Sequence, residues 1–351
     1  MRCLVCQKVI PDASRYCGYC GAATRPRRQL PAWWVIALLL LVGAAGGWGL
    51  AGARGVPTPQ VIEKVVYVTP VPPKAVEPTK TTAPAKAAEP TKAPTKATEP
   101  TKGPSPTLPP APIGIATQVA ITDGMILLSV PAGEFLMGSA DSDSDAQGDE
   151  KPPHKVYLDA FWIDRTEVTK DQYQKCVAAG KCAAPSCSGT GQGNHPVVCV
   201  SWQDATNYCA WAGRRLPTEA EWEKAARGPS TGSGDGPKYP WGNDAPDGRR
   251  LNYNNQVGTT TAVGAYPPGA SPYGALDMAG NVWEWTGDWY NENYYRSALA
   301  QNPTGPTTGS YRVLRGGSWF DGQRLVRAAS RDRDGPENRS GDLGFRCARS
   351  P

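Results

Sequence analysis

Four cysteines open the chain as two pairs, Cys3/Cys6 and Cys17/Cys20, in the pattern C-x2-C-x10-C-x2-C. Two such knuckles supply four thiolates to a tetrahedral Zn²⁺, and a segment this short folds around the metal instead of a core. Residues 1–24 are therefore read as a zinc ribbon. Six more cysteines lie beyond residue 113, an even number that suits oxidative pairing outside the cytoplasm. Four of them fall in one insert, CVAAGKCAAPSCSGTGQGNHPVVC, and are assigned as Cys176–Cys182 and Cys187–Cys199, although four cysteines allow three connectivities. DMAGNVWEW places Asp277 and Glu284 on either side of a glycine-containing turn, the oxygen-donor pattern that hard Ca²⁺ favours. The run DSDSDAQGDE (141–150) has a calcium loop's composition but not its spacing, and is read as a solvated loop. The glutamates of TEAEWE invite acid–base chemistry, but they also suit a helix N-terminus. RDRDGPENRSGD (331–342) alternates in sign and is read as a solvated loop.

Composition narrows the chemistry further. The chain has 351 residues and only two histidines, His154 and His195, which leaves no histidine-rich metal centre. Residues 1–113 carry 14 Lys+Arg against 5 Asp+Glu; residues 114–351 carry 23 against 27, so their balances of +9 and −4 give the net +5. An acidic domain without a basic stripe is a poor partner for nucleic acid, whose affinity rests on phosphate neutralisation.

The elements that must carry these residues fall into four segments. Pro31 to Ala53 is free of charge and long enough to cross the hydrocarbon of a bilayer, with Trp33, Trp34 and Trp48 near its ends. Arg25, Arg27 and Arg28 precede it, so the positive-inside rule places the N-terminus in the cytoplasm and the bulk of the chain outside. A signal peptide is the competing reading, but such peptides start the chain, whereas here a cysteine module comes first. Residues 57–113 repeat EPTK among Ala, Thr and Pro, a composition that predicts a disordered spacer. Extended at ~3.1 Å per residue, it would hold the next segment on the order of 170 Å from the membrane.

Residues 114–351 read as an α+β domain rich in loops. Helices are expected over Lys170–Ala178 and Ser201–Ala212 and from Thr218, where TEAE fits a capping box with Trp222, Ala225 and Ala226 facing inward. MILLSV, KVYLDAFWI and YRVLRGGSW read as strands.

VPAGEFLMGS, DAFWIDRTEVTKDQY, HPVVCVSWQDATNYCAWAGRRLPTEAEWEKAARG, YGALDMAGNVWEWTGDWY and VLRGGSW…LGFRCARS occur in that order. Together they resemble the formylglycine-generating enzyme (sulfatase-modifying factor) family across nearly all of 120–351. The resemblance implies a variant of the C-type lectin fold with bound calcium. It implies Ca²⁺ on the side chains of Asp277 and Glu284 and the carbonyls of Gly280 and Val282, and a doubtful second ion at Asn252 and Tyr253. It also implies a Cys209–Cys347 bridge. The family's enzymes oxidise a cysteine of sulfatases using Cu(I) on two cysteines, three and eight residues after the serine of RGGS. Counting from Ser318 gives Asp321 and Val326, so copper is not expected and the sequence points away from that oxidase. A binding or structural module follows, with Trp283, Ser318, Trp319, Asp321 and Arg331 around a groove for a glycan, peptide or protein ligand. The ribbon would meet a cytoplasmic partner. An enzyme or maturation factor acting on exported proteins with other residues is the alternative.

Overall fold

In the computed structural model the described residues are 112, 114–229 and 236–351. The zinc ribbon at Cys3, Cys6, Cys17 and Cys20, the apolar run 31–53 and, apart from Pro112, the spacer 57–113 lie outside them. Among the described residues no helix is long and apolar enough to cross a membrane.

Alternation of side chains sets the first sheet. Strand β1 (Thr117–Val119) pairs with β2 (Ile126–Val130), β2 with β5 (Phe161–Asp164), and β5 with β10 (Ala348–Arg349), all antiparallel. Leu128 sits opposite Ile163, and Val130 opposite Phe161; all four are buried, as facing positions on one side of a half-covered sheet should be. The run KVYLDAFWI divides between two sheets. Its first half forms β4 (His154–Leu158), in a hairpin with β3 (Gly133–Met137), and its second half forms β5.

All three expected helices form. They are α1 (Lys170–Ala178), α2 (Trp202–Trp211) and α3 (Glu219–Arg227). Thr169, Ser201 and Thr218 cap them, each accepting from the third helical amide while the side chain there reaches back to the cap. Helix α2 buries Ala205, Tyr208 and Cys209; α3 buries Trp222, Ala225 and Ala226. Three disulfides lock the arrangement: Cys176–Cys182, Cys187–Cys199 and Cys209–Cys347, the last joining α2 to the segment leading into β10.

The sheet that carries the site has the order β8-β7-β6-β9, with β6 Trp283–Trp289, β7 Arg312–Arg315, β8 Arg331–Asp334 and β9 Leu343–Gly344. The run 331–342, expected to be a solvated loop, thus begins as a strand. Its first residue, Arg331, is 2 % exposed because Glu219 on α3 receives both ends of its guanidinium, at 2.6 and 2.9 Å. The acidic run 141–150 is also less solvated than its composition suggests. Glu150 is fully buried under a two-point pair with Arg327, at 2.7 and 2.6 Å, and Lys238 holds Asp143 and Asp145.

Candidate functional site

The turn after β7 is built on two glycines in left-handed backbone, Gly316 at φ 96° and Gly317 at φ 73°. A side chain at Gly317 would come within 2.9 Å of the Leu325 carbonyl and a Val326 methyl. Glycine is therefore required for the chain to reverse here. Ser318, the next residue, is fully buried and donates its hydroxyl to Asp321 Oδ2 at 2.7 Å, while its amide donates to the same oxygen at 3.0 Å. Two other loops hold this turn. Asn254 N donates to the Asp321 carbonyl at 2.7 Å, Asn255 N to the Trp319 carbonyl at 2.8 Å, and Trp319 N to the Asn281 carbonyl at 2.9 Å.

Asp321 is 5 % exposed, and burial pushes its carboxyl up to about 6 against the Ser318 hydrogen bonds; the Asp342 and Asp332 carboxylates push it further the same way. Those two aspartates are neighbours of the turn that sequence reading passed over. Asp332 follows Arg331 on β8, and alternation sends adjacent strand residues to opposite faces. Asp332 therefore shares the field of Asp321, while Arg331 turns to Glu219 and lies 4.3 Å over the Tyr295 ring. Arg331 belongs to the buried ion-pair layer and does not line the expected groove. Trp283 is likewise 6 % exposed, packed in the core that includes Val197, Val200 and Leu343. Its amide donates to the Asp342 carbonyl at 2.8 Å, so it supports the turn's surroundings from below. Trp319 remains half-buried, with its ring edge-on to Phe320 at 5.8 Å. The turn thus offers one tryptophan edge beside a set of carboxylates.

Val326 is fully buried among Tyr239, Leu251 and Ala279. An apolar side chain there has packing work and no ligand atom. All six cysteines of residues 114–351 are bridged, leaving no free thiol among the described residues.

The glutamates of α3 are structural. Helical spacing puts Glu219 and Glu223 one turn apart, where Glu219 meets Arg331 and Glu223 pairs with Arg315 on β7 and with Arg227 at 2.9 Å. Burial pushes the Glu219 carboxyl up, but Arg331 and Arg315 outweigh it and leave it lowered. A carboxylate held this firmly ionised between two guanidinium groups makes a poor proton donor. A separate polar cavity of about 290 Å³ opens beside Ser139, Asp143, Arg227, Lys238, Asn243 and Arg327; its charged walls are matched by Glu223, Glu150 and Asp145.

The loop 277–284 was expected to hold calcium. Asp277, Gly280 and Asn281 all adopt left-handed backbone, at φ 58°, 74° and 62°, which folds it tightly. Glu284, however, is already engaged: Arg346 donates to both of its oxygens at 2.7 Å and Trp222 Nε1 donates at 2.8 Å. Asp277 Oδ2 accepts from Gly264 N at 2.6 Å. Beside it lies Glu167, fully buried; Asn281 Nδ2 donates to Glu167 Oε1 at 2.9 Å, and the Glu167 and Asp277 carboxyl groups share a hydrogen bond. Asn252 gives its amide to the Thr259 carbonyl at 2.8 Å, and its Oδ1 is buried without a partner. Tyr253 directs its hydroxyl to the Pro246 carbonyl at 2.9 Å. Among the described residues no three of His, Cys, Asp and Glu converge as a ready metal cage. The unpartnered Asn252 Oδ1 and the Asp277 carboxylate are hard oxygen donors of the type Ca²⁺ takes, with Glu284 the exception in the expected donor set.

Comparison with known proteins places this architecture. The formylglycine-generating enzyme of Streptomyces coelicolor is 37% identical over 296 residues, covering 67% of this chain and 92% of that protein. The serine/threonine-protein kinase pkn1 of Chlamydia pneumoniae is 37% identical over 261 residues, 68% of this chain but only 39% of the kinase. The solved structure of PvdO from Pseudomonas aeruginosa superposes with a TM-score of 0.59 at 28% identity, covering 67% of this chain and 98% of that one. Residues 116–351 match the model of the sulfatase-modifying factor enzyme 1-like domain, and the chain belongs to that family.

Proposed function

We propose that the domain is a ligand-binding or structural module of the family, held outside the cell by a single membrane span, and that it does not oxidise cysteine. The observation that carries this reading is the fate of its sulfur: every cysteine of residues 114–351 is in a disulfide. Linear Cu(I) needs two soft thiolates. Asp321, bound to Ser318, offers hard oxygen, and Val326 offers none. The Ser318–Asp321 turn, with the Trp319 edge and the carboxylates of Asp332 and Asp342, would be the binding face, for a glycan, peptide or protein. The apolar run 31–53 would be the anchor and residues 57–113 the spacer, with a Zn²⁺ ribbon at Cys3, Cys6, Cys17 and Cys20 facing a cytoplasmic partner. Calcium would be a structural ion of the 277–284 loop. The alternative, an enzyme acting on exported proteins, draws on the 37% identity to a formylglycine-generating enzyme and would need residues other than these cysteines.

Thiol mapping tests the reading. When the purified full-length chain is denatured and alkylated without reductant, Cys176, Cys182, Cys187, Cys199, Cys209 and Cys347 should all remain unmodified by peptide mass spectrometry. Alkylation of any one pair in most molecules would restore a thiolate donor and contradict the proposal.

A further inference from the structure

Among the described residues seven arginines are buried. Arg214, Arg227, Arg315, Arg327, Arg331 and Arg346 each meet a carboxylate within 3.0 Å. The seventh, Arg165, is 4 % exposed, and its Nε is buried without an acceptor. No described carboxylate pairs with it: burial alone acts on its guanidinium, and lowers its pKa. Carboxylates outweigh burial at Arg214, Arg315, Arg327, Arg331 and Arg346, all of which are raised. A guanidinium stays protonated throughout the range in which proteins fold, so Arg165 cannot shed its charge as a buried lysine or carboxyl group can. An unpaired buried charge is costly, and this one stands alone in a domain that pairs the other six.

The backbone holds Arg165 in place. Its amide donates to the Ile126 carbonyl at 2.9 Å, and its own carbonyl accepts from Leu276 N at 2.8 Å. Asp164 faces Leu127 in the ladder, so one step further Arg165 stands opposite Ile126, which pairs with Val119 on the edge strand β1. Facing residues share one side of a sheet, and Val119, Ile126 and Arg165 therefore form a row. Val119 is 62 % exposed and Ile126 half-buried. The row leads from solvent at the sheet's edge to the guanidinium.

We propose that Arg165 anchors an oxyanion site, taking a carboxylate or phosphate group that enters along the Val119–Ile126 edge. The site draws on none of the residues of the Ser318–Asp321 turn. A planar guanidinium offers paired N–H donors that match two oxygens of one such group, the geometry in which arginine is not replaceable by lysine. A ligand of this kind supplies both things the fold leaves out here, an acceptor and a negative charge.

The test follows thermal unfolding of the purified full-length chain while inorganic phosphate or acetate replaces chloride at constant ionic strength. The parent's melting temperature should rise along a saturating curve, because a ligand bound only by the folded state stabilises it. Whichever anion has the lower half-saturating concentration identifies the group as phosphate or carboxylate. Arg165→Met should melt above the parent in chloride, since it removes an unpaired buried charge, and should lose the response to both anions. Arg165→Lys keeps the charge but not the fork, and its half-saturating concentration should rise about tenfold or more. An Arg165→Met chain that melts below the parent in chloride, or fails to fold, would show that the guanidinium is satisfied within the fold and would overturn the proposal. A parent without a saturable response would overturn it too, as would an Arg165→Met chain that responds as the parent does.

Discussion

Glu223→Ala should destabilise the domain by about 3–5 kcal/mol, the cost of breaking a buried ion pair from one side. Glu223 is fully buried, and its carboxylate accepts from Arg315, from Arg227 at 2.9 Å and from the Gly138 amide at 2.8 Å. Removing it takes the shared carboxylate from two guanidinium groups, 0 % and 5 % exposed at their side chains, and leaves Arg315 with Glu219 at 3.8 Å as its remaining counter-charge. The same change unties helix α3 from β7 and from the end of β3, the elements that support the Ser318 turn. Urea unfolding followed by tryptophan fluorescence measures it. The exposed pair Lys155–Glu134, 3.8 Å apart, is the control, and Glu134→Ala should cost less than about 1 kcal/mol. Similar midpoints for the two variants would show that the buried layer contributes little.

Replacing Cys209 and Cys347 together with alanine should cost about 5 kcal/mol, because their bridge closes 138 residues and restricts the unfolded chain strongly. The Cys176–Cys182 bridge closes only 6 residues, and its removal should cost about 2 kcal/mol by the same relation. The double variants, compared by thermal unfolding, should therefore rank in that order. The reverse order would mean that local packing of the insert, not loop closure, governs the stability these bridges supply.

Local signals were legible in the sequence and the Cys209–Cys347 bridge through the family resemblance, whereas distant ion pairs were not. Thr169, Ser201 and Thr218 announce the three helices because a cap and its partner lie three residues apart. The same holds for the glycine turn of Arg315–Ser318, whose need for left-handed backbone is written in two adjacent residues. Arg331 and Glu150 read as solvated because their partners, Glu219 and Arg327, are 112 and 177 residues away. A charge looks exposed in sequence until its counter-charge is located, and only the fold locates it. Arg331 was misplaced in the groove for this reason, and Asp332 and Asp342 were passed over. Glu167 was missed similarly: it stands in the motif DAFWIDRTEVTKDQY, and its partner Asn281 is 114 residues away.

The proposed function turns on whether the domain, with all six cysteines of residues 114–351 in disulfides, oxidises cysteine. The most direct measurement incubates the purified full-length chain with Cu(I), oxygen and a cysteine-bearing sulfatase-type peptide, and reads the peptide by mass spectrometry. The peptide should keep its cysteine while the protein stays folded with its three bridges intact. Conversion of that cysteine to formylglycine would contradict the account, and would mean that the domain is an oxidase working through other residues.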